Sequence, residues 1–249
     1  MTTAQLRAAI TGLIALAATE EELLLATAPD AEPGSPDRWA ALPLLAHNAE
    51  FRHQQVIRLQ AVHRGVTPPS FTEIDHRSPD TYRRYRAAAA AAVISAARDS
   101  VSDLIDGLRA VSDEDLSDAS RHPWLRGRQL WLQVVVRGFW HPAGHLGDYH
   151  VAHGHPGRAV ALHAHALATA RHLGAPDPAL GMAAYSLACA QAQADADRAA
   201  AETLTEALRL NPDLGVNARR DPDLDRLRAS GDLDQILAPA AGPGGGARR

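Results

Sequence analysis

Lysine is absent: all 25 basic residues are arginine. Without a lysine there is no Schiff-base amine and no lysine to cradle a phosphate, which excludes pyridoxal-phosphate enzymes and Walker-type ATPases. Cysteine is nearly absent. The single Cys189 excludes an intrachain disulfide framework and a cysteine-cluster zinc site, and it is compatible with a reducing cytosol. Aromatic residues make up only 4%, so the core has to be small and aliphatic. No apolar run reaches the roughly 18 residues that a membrane span needs. Net charge is −4 with no basic domain, which argues against a nucleic-acid partner. The N-terminal run, MTTAQLRAAITGLIALAATEEELLL, has no basic leader and no small-residue cleavage site, and acids follow it. It reads as an amphipathic helix of a cytoplasmic protein and not as a signal peptide.

What the chain has in abundance is alanine, 51 of 249 residues. Alanine is the strongest helix former, and the composition predicts an all-α fold. The length suits one large domain or two modest ones. Helical spacing of Leu6, Ile10, Leu13, Ala17 and Leu24 predicts a first helix over 3–27. A Pro/Gly/Asp-rich loop follows, and a second helix is expected over 37–64 with Asp37 as its N-cap. The segment 65–78, with Pro68-Pro69, reads as a crossover loop. A third helix is expected over 79–111, carrying Tyr82, Tyr85, Ala89, Val93, Ala96, Val101, Leu104 and Leu108 inward. Its run Ala87–Ala92 reads as a close helix contact. After a loop with short turns, a fourth helix is expected over 129–152. Pro142 lies inside it, lacks an amide donor and presses on the carbonyl of Gly138, so a kink or a break with restart is expected there. Four long helices with a crossover match a four-helix bundle over residues 1–155. Shorter helices follow at about 158–173, 178–193 and 196–210, then small turns to 237. Residues 156–238 read as a helical-hairpin unit, and 239–249, rich in Gly and Pro, as a flexible tail.

Histidine is the unusual reactive residue: eight of the 13 fall between His141 and His172. His141 and His145, four apart, share one helical face, and both imidazoles can reach one ion at about 2.0–2.1 Å. A third ligand has to come from another helix, and His47, mid-helix in an apolar stripe, is the best candidate. Asp148, Glu50 and Asp75 are candidates to orient a ligand imidazole through its other nitrogen. Three histidines leave an open coordination position, the pattern of a catalytic site. The alternative is a buried histidine that bonds a carbonyl or carboxylate. His150, His153 and His155 flank a helix end, where cationic side chains suit the dipole. His163 and His165 are two apart and do not share a helical face. Cys189, in an alanine-rich helix, reads as a small core residue.

Two segments carry a resemblance. WAALPLLAH, Trp39 to His47, resembles the helix 2 signature of DinB/YfiT-like four-helix bundles. FWHPAGHLGDYH, Phe139 to His150, resembles their helix 4 signature, and HPAGHLGDY within it is similar to the version in the ClbS/DfsB branch. The resemblance covers about residues 1–153. It implies a metal held by His47, His141 and His145, with Pro142 as a departure beside a ligand. The activities it implies are thiol transfer with a low-molecular-weight thiol (mycothiol, bacillithiol or glutathione), mycothiol-dependent isomerisation, or small-molecule detoxification. The ion expected is divalent, zinc or nickel, since imidazole suits both. Further on, AYSLACA (184–190) and ADADRAAAETLTEALRLNP (194–212) resemble a TPR repeat, and RRDPDLDRLR (219–228) resembles the ending after such a unit. Such a unit leans on the bundle or on a partner chain, so a protein partner or a homodimer enters the expectation beside a small-molecule substrate. The reading is a metal-dependent thiol transferase or hydrolase acting on a small electrophilic molecule. The alternative is a non-catalytic stress-response adaptor that binds through the TPR-like part.

Overall fold

The computed structural model describes residues 1–27, 34–71 and 79–238. The protein is all-α; among the described residues the only β pairing is an isolated antiparallel bridge, Ser35–Arg38. Helix α1 (Thr3–Thr27) has the expected bounds, and its five predicted apolar positions all face the core. Helix α2 (Ala41–His63) starts later than expected. Asp37 sits in the turn closed by the Ser35–Arg38 bridge and caps nothing; Ala40, in extended backbone, holds the cap position without a side-chain bond. The turn is also fastened by Trp39, whose Nε1 donates to the Pro36 carbonyl at 3.0 Å.

The single helix expected over 79–111 is two: α3 (Pro79–Arg86) and α4 (Ala90–Ala110). The chain breaks inside the alanine run, and Ala87–Ala92 are exposed, so the run is not a helix contact. Alanine favours a helix but buries little surface, and the chain here follows the heavier residues on either side. Tyr82 and Tyr85 bury from α3, while Val93, Ala97, Ser100, Leu104 and Leu108 form the buried stripe of α4. Ala89, at the break, and Ala96, both expected inward, are exposed; the buried stripe of α4 runs through Ala97 and Ser100 instead.

Helix α5 (Asp113–Ser117), capped by Ser112, and a 3-10 turn at Pro123–Leu125 fill the next loop. The fourth long segment consists of α6 (Leu130–Val135), a π-helical turn (Val136–Trp140) and α7 (His141–Ala152). Pro142 does not break it. The amide of His141 donates to the carbonyl of Val136, five residues back, and the backbone stays right-handed helical at Val136, Trp140 and His141. The wider turn absorbs the missing proline donor. One extra residue in a turn also rotates everything after it by about 100° about the axis. At Gly138, a Cβ would meet Leu104 Cδ2 at 2.7 Å and Ile14 Cγ1 at 2.8 Å, so glycine is what lets this turn approach α1 and α4.

Helix α2 runs along α4, and α1 packs on α4 and on the α6–α7 segment. Helices α8 (Pro156–His172), α9 (Asp177–Gln193) and α10 (Asp197–Leu210) follow close to their expected bounds. Ala188 and Ala207 are fully buried where α9 meets α10. Helix α8 packs on α7 and α1 as well as on α9. Helix α11 (Leu214–Ala218), a 3-10 turn (Pro222–Leu224), α12 (Asp225–Ser230) and α13 (Asp232–Leu237) complete the chain as described. One hydrophobic cluster runs from Leu6 to Leu233. The tail expected over 239–249 lies outside the described residues. No described helix is long and apolar enough to cross a membrane.

A buried ion pair ties three helices. Arg52 of α2 donates to both carboxylate oxygens of Glu21 on α1, at 2.9 and 2.8 Å, and to Ser100 Oγ on α4 at 2.9 Å. Asn48 Nδ2 adds a bond to Glu21 at 2.9 Å. Arg52 is 0% exposed and Glu21 4%. Glu21→Gln should cost about 3–5 kcal/mol, because it strands a buried guanidinium, whereas the double apolar change Glu21→Leu/Arg52→Met should recover most of that loss. Urea unfolding midpoints of the two variants check this; a double variant as weak as the single one would contradict it.

Candidate metal centre

His47 lies in the first turns of α2, where Leu44, Leu45, Asn48 and Ala49 are all buried around it. His141 opens α7 and His145 follows one turn later on the same face. The register imposed by the π turn brings that face onto α2. Nε2 of His47 lies 3.1 Å from Nε2 of His141 and 3.2 Å from Nε2 of His145. One ligand atom from each of the three falls within 4.8 Å of the others. His47 is 1% exposed, and the His145 side chain is 13% exposed.

The donor set fits one ion. Two imidazole nitrogens held at about 2.0–2.1 Å by a common zinc-like ion sit roughly 3–3.4 Å apart. A neutral ring nitrogen offers one hydrogen or one lone pair, which serves one good hydrogen bond and not two. Nε2 of His47 faces two partners at once, and a cation between the three rings satisfies all of them.

The chain has four Trp, four Tyr and three Phe, and three of these surround the triad. Phe51 stacks on His141 with centroids 3.9 Å apart and planes at 17°. Trp39 and Tyr85 meet His47 edge-on at 5.5 and 5.6 Å. These contacts fix the ring planes. Glu50 does not orient an imidazole: its Oε2 accepts from the Tyr85 hydroxyl at 2.5 Å and from Arg84 at 2.6 Å. Burial, and then that bond to Glu50, push the Tyr85 phenol above its usual range. Asp148 Oδ2 lies 3.7 Å from His145 Nδ1, near enough to be felt as a charge and too far for a hydrogen bond. Asp75 lies outside the described residues.

Two cavities meet at the triad. One, of about 340 Å³, lies beside Trp39, His47, His145 and Tyr149. The other, of about 330 Å³, lies beside Trp140, His141, His145 and the α9 residues Tyr185 and Cys189. Asp148, Asp221 and Asp223 line both. The last two sit in the segment read as a repeat ending. No local motif marks them as site residues, because only the packing of α9 and its following turns against α7 brings them there.

The remaining histidines differ from one another. His150 is not a cation at the helix end, since burial, with Arg158 nearby, pushes it down to about 4. His153 Nδ1 donates to the Tyr149 carbonyl at 2.8 Å, and its ring stacks on Tyr149. His163 is buried and His165 exposed, as their spacing requires. Cys189 is a buried core residue, its thiol pushed well up by burial and by Asp221 and Asp223. With Asp221 and Asp223 it forms a second group of potential ligand atoms within 4.8 Å.

No family model, no curated protein and no solved structure matches this chain.

Burial holds His163 down at about 4, while an unfolded histidine titrates near about 6.5. Between those values the unfolded chain takes up a proton that the folded one refuses. Stability is therefore level above about pH 6.5 and falls as the pH drops toward 4. Denaturation midpoints measured across that window should show the fall, and His163→Leu should remove part of the slope; an identical slope in the variant would show that His163 does not drive it.

Proposed function

We propose that the chain is a metal-dependent enzyme, a thiol transferase or hydrolase acting on a small electrophilic molecule. His47, His141 and His145 would hold one divalent ion, zinc or nickel, both of which suit imidazole. The observation that carries this reading is the meeting of three Nε2 atoms from two helices. The resemblance of Trp39–His47 and Phe139–His150 to DinB/YfiT-like signatures supports it, since the ligands it implies are the residues that meet. The finer fold reading goes with it: a DinB-like bundle over 1–155 and TPR-like hairpins over 156–238.

When bound, the ion would supply a Lewis acid that lowers the pKa of a coordinated water or thiol. The chain's own residues would do the rest. Phe51, Trp39 and Tyr85 hold the ligand rings in place. Asp148, at the rim of both cavities, is the carboxylate placed to take a proton from an incoming nucleophile. The buried, protonated Cys189 thiol is a poor nucleophile. An attacking thiol would thus arrive as a low-molecular-weight cofactor, and the hydrolytic version needs only water. The adaptor reading is less supported, because α9 and the Asp221–Asp223 turn wall the cavities of the triad.

Protein purified without a histidine tag should retain, or take up with a thermal shift, one zinc or nickel ion per chain. Imidazole binds metal only when neutral, so affinity should fall steeply from about pH 7 to 5. His145→Ala should lose most of the affinity, more than about tenfold, and stay folded. The exposed His165→Ala is the control; buried His163 is not suited to that role. If neither ion is retained or stabilises the wild type, the triplet is a hydrogen-bonded cluster and the enzyme reading fails. Turnover of small electrophiles with and without added thiol separates transferase from hydrolase.

A further inference from the structure

We infer that the chamber between α7, α9 and the Asp221–Asp223 turn is the ligand pocket of this site, and that it takes a small organic molecule carrying an ammonium group. The inference rests on the triad reading only for the direction in which the ligand's reactive end points, toward His145; recognition of the ammonium group does not require the ion.

Three observations carry it. The first is charge. Asp148, Asp221 and Asp223 line the chamber, and no described arginine does. The Asp221 carboxylate is held by neutral donors: the Tyr185 hydroxyl at 2.7 Å, the Asp223 amide at 3.1 Å and the Cys189 thiol at 3.8 Å. Arg228 reaches the backbone carbonyl of Asp221 at 3.0 Å, not its carboxylate. These bonds orient the negative charge without cancelling it, and low-dielectric walls focus its field on the cavity. The second observation is His163, which lines the same chamber at 4% exposure and makes no hydrogen bond with any described residue. Buried polar groups without a partner are rare and call for an explanation. A Cβ at Gly147 would collide with Nε2 of His163, so glycine at this chamber-lining position is what admits the imidazole there. A ligand polar group would complete it. The third is the apolar wall. Trp140, fixed by its bond to Ser186 Oγ at 2.7 Å, lines the chamber, and an indole is the side chain that attracts an organic cation best. A volume of about 330 Å³ is within the range of small-molecule sites.

Calorimetric titration of the full chain tests this, with the protein both stripped by chelator and loaded with zinc. The probes are benzylammonium and butane-1,4-diammonium, against benzyl alcohol, butane-1,4-diol and benzoate. At least one ammonium probe should bind in both metal states, tenfold or more tighter than its alcohol and than benzoate. Asp221→Asn, which keeps the Tyr185 bond, should weaken that probe at least tenfold. His163→Gln should weaken it too, with the fold checked by its melting curve, and His165→Ala should leave it unchanged. Binding of ammonium by a protein that takes up no metal would sink the triad reading and leave this one standing. If neither ammonium probe binds, if benzoate binds as well, or if Asp221→Asn changes nothing, the inference is overturned. It is equally overturned if the wall takes zinc instead, seen as an ion retained by His145→Ala and lost on adding Cys189→Ser.

Discussion

A guanidinium with no water around it has to be answered by the protein, and Arg52 is answered from two other helices. Glu21 of α1 takes both of its terminal nitrogens and Ser100 of α4 takes Nε. The geometry of a bidentate pair tolerates little sliding. Helix α2 is therefore fixed both in depth and in rotation, and His47, a little over one turn before Arg52, is fixed with it. The triad is assembled on a helix whose position an internal charge pair has already set. Replacing that pair with apolar side chains is compatible with a stable core, but the register of α2 would then rest on packing alone.

The other two histidines of the triad depend on a different device. Pro142 between His141 and His145 would spoil an ordinary α-turn, and the chain meets it with a π turn whose last bond runs from His141 back to Val136. The same turn carries Gly138, which lets the segment press against α1 and α4. Proline and glycine, both unfavourable inside a helix, are here the residues that aim two imidazoles at a third.

Much of the architecture was legible locally. Helix α1 could be bounded from its apolar spacing, and the His141/His145 pair from its four-residue step. What failed did so for physical reasons. The alanine run looked continuous because alanine satisfies helical propensity, yet it contributes almost no burial to decide the phase, and Tyr82, Tyr85 and Val93 decided it instead. Nothing local in the sequence says that Arg52 and Glu21, 31 residues apart, will meet inside. Glu50 was plausible as a support for an imidazole until Tyr85 and Arg84 claimed it. Asp221 and Asp223 reach the cavities only through long-range packing, which no spacing rule contains.

The hydrophobic cluster that runs from Leu6 to Leu233 does not stop where the two halves of the chain meet. The walls of the cavities contributed by α9 and the Asp221–Asp223 turn are thus part of one continuous interior. They are no hinged cover. The dipoles and charges that face the cavities are set when the chain folds, and they need not reorient when a ligand arrives.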